Sequence, residues 1–307
     1  MKNYIKKSIA VSITTTLLLL SVSCKNNETN KDKTQVKELT TNDTKNRVVS
    51  QEFKDYWYAG EAEITSYKLE QARYGEIRNG HAALIYVTED FLPNIQVKAN
   101  NQNPENISVL KLNATKKFNT GIYPYSIMQS TFYPISKEQH ALKITSSIQE
   151  WCGQTYTQLN NKSDFEITSH SYFEGEADQN YRLEKTVLEN ELWTQLRLDP
   201  KSLPTGDLQI IPSLEFVSLK HIELKPYLAN LTLNVNSYII NYPELNRKLT
   251  INFNENAPFE ILDWTESFKS GTEILTTTAT KLVTIKSPYW NKKSSKDSVL
   301  RKTLRLK

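Results

Sequence analysis

The chain has 307 residues, with 38 Lys and Arg against 34 Asp and Glu, and a formal net charge of +4. Three of those positive charges (Lys2, Lys6, Lys7) fall in the first seven residues, so the body carries only about +1 (+4 less three), which excludes the concentrated basic face of a nucleic-acid binder. Apolar residues make up 38% and charged residues 23%, a modest apolar share, but aromatic residues at 10% each bury a large area and can supply a core.

The basic start is followed by an apolar run from Ile9 to Leu20. At about twelve residues it is well short of the roughly 20 needed to cross a bilayer as a helix. A basic start, a short apolar centre and small residues before a cut mark residues 1–23 as a secretory signal peptide. Ser21-Val22-Ser23-Cys24 is similar to the bacterial lipobox, which implies a diacylglyceryl group on the thiol of Cys24 and a new N-terminus there. The box prefers Leu three residues before the cysteine, and here Leu20 lies four before it. The expectation is a lipoprotein of the cell envelope, held on a membrane by its acyl chains; which membrane is not encoded. Residues 24–52 then form a lipidated tether. Its polar, mixed-charge composition cannot bury enough apolar surface to offset ordering, so disorder is expected, with a coil span of roughly 25–30 Å.

From Phe53 onward the pattern is mostly β, over a mature chain of about 280 residues that suits one large domain or two small ones. Asn79-Gly80, between two β-like runs, predicts a hairpin turn, because both residues tolerate positive φ. Ala141 to Leu159 reads as one strand or as two joined at Gly153, and Asn160 to Ser163 as a turn. Phe165 and Ile167 alternate with polar neighbours, as do Leu231, Leu233 and Val235, and Leu249, Ile251 and Phe253; Leu275 to Lys286 is a further strand. Strict alternation indicates antiparallel strands with one wet and one buried face. The best helix lies within Glu184 to Leu198, with Val187, Leu188, Leu192, Trp193 and Leu196 near one face, stopped by Asp199-Pro200. A short helix near Lys296 to Leu304 closes the chain. The expected fold is all-β with one or two minor helices, a large antiparallel sheet curled into an open or partial barrel. Residues 53–307 are read as a single domain, the alternative being two β lobes split near residues 200–206.

Chemical motifs are scarce. His81, His140, His170 and His221 show no metal-ligand spacing, and there is no P-loop, dinucleotide-binding or nucleophile-elbow signature, so neither metal nor cofactor is called for. With Cys24 lipidated, Cys152 has no disulfide partner; it reads as a small buried hydrophobe or, alternatively, a reactive thiol. Pairing outward from a turn at Asn161-Lys162 sets Cys152 opposite about Ser171 and next to His170, the minimum for a cysteine nucleophile, without an orienting third group. Glu174 to Asp178 reads as a solvated acidic turn, lacking the spacing of a calcium loop. Seven Lys and Arg between Lys292 and Lys307 form a basic tail able to touch anionic headgroups or simply fray. Tyr56-Trp57-Tyr58 and Ser287-Pro288-Tyr289-Trp290 suit either the caps of the sheet core or the mouth of a ligand site.

Tyr56 to Ile64, then Tyr67, Leu69 and Gln71 to Glu76, then Val87 to Phe91, resemble a family of Bacteroidetes-type envelope lipoproteins, a likeness covering most of the chain beyond the tether. The family brings no established activity. Its members often bear the label "septum formation inhibitor", a name that belongs to cytoplasmic nucleotide pyrophosphatases with an α/β fold and a Ser-Pro-Arg-Arg signature, which this sequence lacks. The leading functional reading is a non-enzymatic, lipid-anchored protein that binds an apolar ligand or a partner protein on the concave face of its sheet, by analogy with curled-sheet carriers. A concave face filled by its own side chains would count against a carrier. The alternatives are an envelope hydrolase, which converging ionisable groups in a cleft would favour, and a nucleotide pyrophosphatase, which needs an α/β architecture.

Overall fold

Only residues 184–186 separate the strands Gln179–Leu183 and Val187–Leu188, yet these two are the opposite edges of one sixteen-stranded sheet. A three-residue link reaches at most about 14 Å. A flat sheet of this size would hold its edges on the order of 65–70 Å apart, at about 4.8 Å per strand. The sheet therefore curls until its edges nearly meet, and since they do not pair, the result is a partial barrel with a seam. This is the all-β, curled architecture the alternating segments predict. The computed structural model describes residues 45–306; the leader, Cys24 and the tether as far as residue 44 lie outside the described residues.

In chain order the first elements are β1 (Lys45–Asn46), α1 (Gln51–Trp57), β2 (Ala62–Arg73), β3 (Glu76–Leu92), β4 (Val97–Lys98), β5 (Ile107–Thr120) and β6 (Tyr123–Pro134). Next come β7 (Lys137–Glu138), β8 (Lys143–Glu150), β9 (Gly153–Asn161), β10 (Phe165–Ser171), β11 (Gln179–Leu183), β12 (Val187–Leu188) and α2 (Glu189–Leu198). The last third holds β13 (Gly206–Ile211), α3 (Leu214–Lys220), β14 (Tyr227–Leu233), β15 (Ser237–Tyr242), β16 (Arg247–Phe253), β17 (Ile261–Ser270), β18 (Glu273–Ser287) and α4 (Val299–Thr303). The sheet runs β11-β10-β9-β8-β6-β5-β3-β2-β18-β17-β16-β15-β14-β13-β12, with β4 on the side of β3 and β1 paired separately with β7. Its pairs are antiparallel except β12 with β13.

Helix α2 fills the space the sheet encloses. Phe165 and Ile167 from one wing and Ala229 and Leu231 from the other join Leu192 and Leu196 of α2 in one buried cluster. The helix starts later than the sequence pattern predicts, because Val187 and Leu188 pair in parallel with Ile210 and Ile211 instead of coiling. It stops, as expected, at Asp199-Pro200. The seven-residue helices α1 and α3 are too short to show a 3.6-residue period; each is capped by a serine, Ser50 or Ser213, whose hydroxyl accepts from the backbone N–H of Phe53 or Phe216.

Two local expectations, those for Asn79-Gly80 and for residues 45–52, are corrected, and the choice between one strand and two over Ala141 to Leu159 is resolved as two. Asn79-Gly80 is not a turn but lies inside β3; the turn is Tyr74-Gly75, where both residues have positive φ (53° and 76°). Gly80 is there because a Cβ would sit 2.2 Å from the Lys117 carbonyl oxygen of β5. Ala141 to Leu159 contains the two hairpin strands β8 and β9, joined by Trp151-Cys152, and β9 pairs with β10 with Tyr156 opposite His170. Residues 45–52, assigned to the tether, are held by the body: β1 pairs with β7, the Arg47 backbone N–H donates to Ser136 and its guanidinium to the Ile135 carbonyl, both at 2.9 Å, and α1 begins at Gln51.

Candidate ligand-binding cleft

The concave face is closed over most of its length by polar as well as apolar packing. Five polar or charged residues of α2 are buried, and four of them find partners on the surrounding chain. Arg197 makes a two-pronged pair with Glu63 of β2 (2.6 and 2.7 Å) and lies over the rings of Trp57 and Tyr86. Glu191 accepts from the backbone N–H of Ala141 (2.6 Å) and from His140 (2.9 Å). Glu189 accepts from Tyr242 (2.8 Å) and Arg247 (2.7 Å), and Arg247 also reaches Glu266 at 2.6 Å. Asn190 donates to Gln129 at 2.7 Å and accepts from the backbone N–H of Leu214 at 3.1 Å. The helix thus clasps both wings of the sheet. Beside it remains a chamber of about 60 Å³, room for a few waters at most.

At one end the filling stops. A cleft of about 910 Å³ opens between β8–β11 on one side and α3 with the residues that follow it on the other. Ile148 and Tyr181 face Leu214, Val217, Ile222 and Leu224 across it. Two structures frame its mouth. Glu176, from the acidic stretch between β10 and β11, pairs with His221 at 2.5 Å and accepts from Ser171 at 2.7 Å, tying the two wings together beside the seam. On the floor, Arg73 donates to the Leu219 carbonyl (2.6 Å) and to the hydroxyls of Tyr74 and Tyr125 (both 3.1 Å), and its guanidinium lies 4.2 Å from the Tyr74 ring centroid. These contacts hold Tyr74 in a left-handed conformation that a tyrosine rarely adopts.

Arg73 and Leu219 also line the inner chamber, so floor and chamber adjoin. Four cations (Arg73, Lys116, Lys220, Arg247) and three carboxylates (Glu189, Glu215, Glu266) line that chamber. Arg247 holds Glu189 and Glu266, and Lys116 holds Glu215 at 2.7 Å, with Gln129 donating to its second oxygen at 2.7 Å. Burial opposes the charge of Glu266, but Arg247 and Lys116 outweigh it and keep its pKa below the usual carboxylate value. Lys220 is different. It rests 3.1 Å from the Phe268 ring centroid, and burial, with Arg73 and Arg247 nearby, pulls it down to about 8 against a weaker upward pull from Glu266.

The residues singled out by sequence are not gathered here. Cys24 lies outside the described residues. Cys152 is exposed on the β8–β9 turn rather than buried, at the outer lip of the cleft, and the neighbouring Glu150 carboxylate raises its pKa, which disfavours the nucleophilic thiolate. His170 pairs with Asp178 at 3.2 Å, and the one-residue displacement from Cys152 is replaced by a position opposite Tyr156. Trp57 is buried in the core, whereas Tyr289 and Trp290 are exposed and line no part of the cleft. What the sequence reading missed are the inward charges. Their signal is phase: Arg247 is in register with Leu249, Ile251 and Phe253 at every second position, and Glu266 with Trp264 and Phe268, so each sits at a position the strand period assigns to the interior.

No family profile and no curated protein matches the sequence. Among solved structures, the chain is similar to the β-barrel-like protein of domain of unknown function DUF1849 from Brucella abortus, at a TM-score of 0.42 and 4% identity, over 74% of this chain and 98% of that one.

Proposed function

We propose that this protein is a lipid-anchored, non-enzymatic binding protein of the cell envelope that holds an apolar ligand in the end cleft of its curled sheet. The observation that carries the reading is the contrast between the filled concave face and the open cleft of about 910 Å³ walled by Leu214, Val217, Ile222 and Leu224. The site is therefore the end of the partial barrel, not the broad concave face. The leader and Cys24 support the anchor, since each buried methylene of an acyl chain contributes about 0.8 kcal/mol. The likeness to envelope lipoproteins points to the same compartment. An apolar fluorescent probe, N-phenylnaphthylamine, should bind the body and be excluded by Val217→Trp, which fills the cleft; absence of binding to the wild type overturns the cleft reading. Mass spectrometry of native protein should find acylation at Cys24, and Cys24→Ser should leave the fold intact while releasing the body from membranes.

One observation favours the hydrolase alternative, namely that seven ionisable groups converge on the inner chamber. Against it, each of the three carboxylates is engaged by a cation, which leaves no free carboxylate to act as a base. Turnover of ester, glycoside or phosphate substrates that is lost in Glu266→Gln would establish the hydrolase in place of the binding protein.

A further inference from the structure

We infer that Arg73, on the floor of the cleft, and Lys220, in the chamber that adjoins it, form an anion subsite, so that the ligand is an amphipathic monocarboxylate with its apolar body between α3 and β8–β11. This rests on the cleft reading above and names the chemistry of its ligand.

The inference starts from which charges are already committed. Among the described residues, Arg73 and Lys220 make no ion pair, while the three carboxylates beside them are taken by Arg247 and Lys116. Arg73 is engaged only by neutral oxygens, those of Leu219, Tyr74 and Tyr125, and its buried Nε has no hydrogen-bond partner. A guanidinium keeps its full charge in such a setting, and an unsatisfied buried donor is costly unless a ligand takes it. Lys220 directly follows Leu219, whose carbonyl anchors Arg73, so the two cations are placed by the same stretch of chain. Lys220 has an aromatic ring in place of a carboxylate as its nearest partner. Burial, more than any neighbouring charge, lowers its pKa, and the chamber it lines holds a positive surplus.

The sign and size of that surplus select the head group. Four cations face three carboxylates, a formal excess of one positive charge, which a single carboxylate neutralises. The apolar walls begin where the polar floor ends, because Leu219 lines both spaces and Leu214 lines the cleft beside it. An acid with a medium-length aliphatic or aromatic body would therefore place its head on the floor and its body along α3.

Isothermal titration calorimetry at pH 7 with decanoate, decanol and decyl phosphate separates the possibilities. Decanoate should bind at least tenfold tighter than decanol. Lys220→Gln and Arg73→Gln should each weaken decanoate about tenfold and leave decanol unchanged. Because Arg73 also holds the Tyr74 turn, a second readout avoids any change in folding. In the wild type, decanoate affinity should fall as pH rises from 7 to 9.5, as Lys220 loses its proton amid Arg73, Arg247, Lys116, Glu189, Glu215 and Glu266. In Lys220→Gln that fall should vanish. Equal affinity for decanoate and decanol overturns the anion subsite while leaving the cleft reading in place. Tighter binding of decyl phosphate overturns the carboxylate assignment. Binding of none of the three overturns the cleft reading itself.

Discussion

Arg197 of α2 and Glu63 of β2, 134 positions apart in sequence, meet in a two-pronged pair of 2.6 and 2.7 Å with both side chains 1% exposed. Burial of two opposite charges is close to neutral when geometry is good, but removing one partner strands the other. Arg197→Met should therefore cost about 3–5 kcal/mol. The double variant Glu63→Leu/Arg197→Met should recover most of that loss, since it removes both charges from the interior. Urea unfolding of the single and double variants checks it; equal destabilisation by both would show that the pair is not what matters.

The pair of His140 with Glu191 ties the start of β8 to the first turn of α2, and it should make stability depend on pH. Burial pulls the His140 imidazole down, but the Glu191 carboxylate outweighs it, and the folded-state pKa lies above the ordinary 6.5. The folded protein thus holds the proton more tightly than the unfolded chain. The contribution is complete below pH 6.5 and is lost as pH rises through the folded value. Unfolding free energies measured at pH 5.5 and 8.5 should differ more for the wild type than for His140→Gln.

The clasp of His221 and Glu176 is exposed and should add little to global stability, about 0–1 kcal/mol. Its effect should be local. His221→Gln should speed amide exchange in residues 172–178 beside the cleft while leaving the exchange of β5 and β6 unchanged. Uniform exchange across the wild type and the variant would remove the clasp from any account of cleft opening.

Gly80 faces the backbone of β5 so closely that even a methyl group meets the Lys117 carbonyl oxygen at 2.2 Å and Phe118 Cβ at 2.8 Å. Gly80→Ala should force β3 and β5 apart and destabilise by about 1–3 kcal/mol. Gly121→Asn, at a turn with φ of 58° and open space around it, should cost far less, since asparagine tolerates that conformation. Thermal unfolding of the two variants side by side tests the contrast.

The amino-acid sequence by itself determined the strands, because a period of two needs only neighbours: Leu249, Ile251 and Phe253 turn inward wherever the sheet lies. It likewise determined the stop of α2 at Pro200, since proline ends a helix by its own geometry. The turn at Tyr74-Gly75 was not legible, because a tyrosine in the left-handed region is held there by Arg73 and Tyr125, and Tyr125 is 51 positions away. Only the tertiary structure decided which charges face inward. Arg247 with Glu189, Arg197 with Glu63 and Lys116 with Glu215 lie 58, 134 and 99 positions apart, so a buried charge becomes affordable only once curling brings its partner from another strand or helix. Curling also left Arg73 and Lys220 without such a partner, Arg73 at the floor of the cleft that the sheet does not close and Lys220 in the chamber beside it.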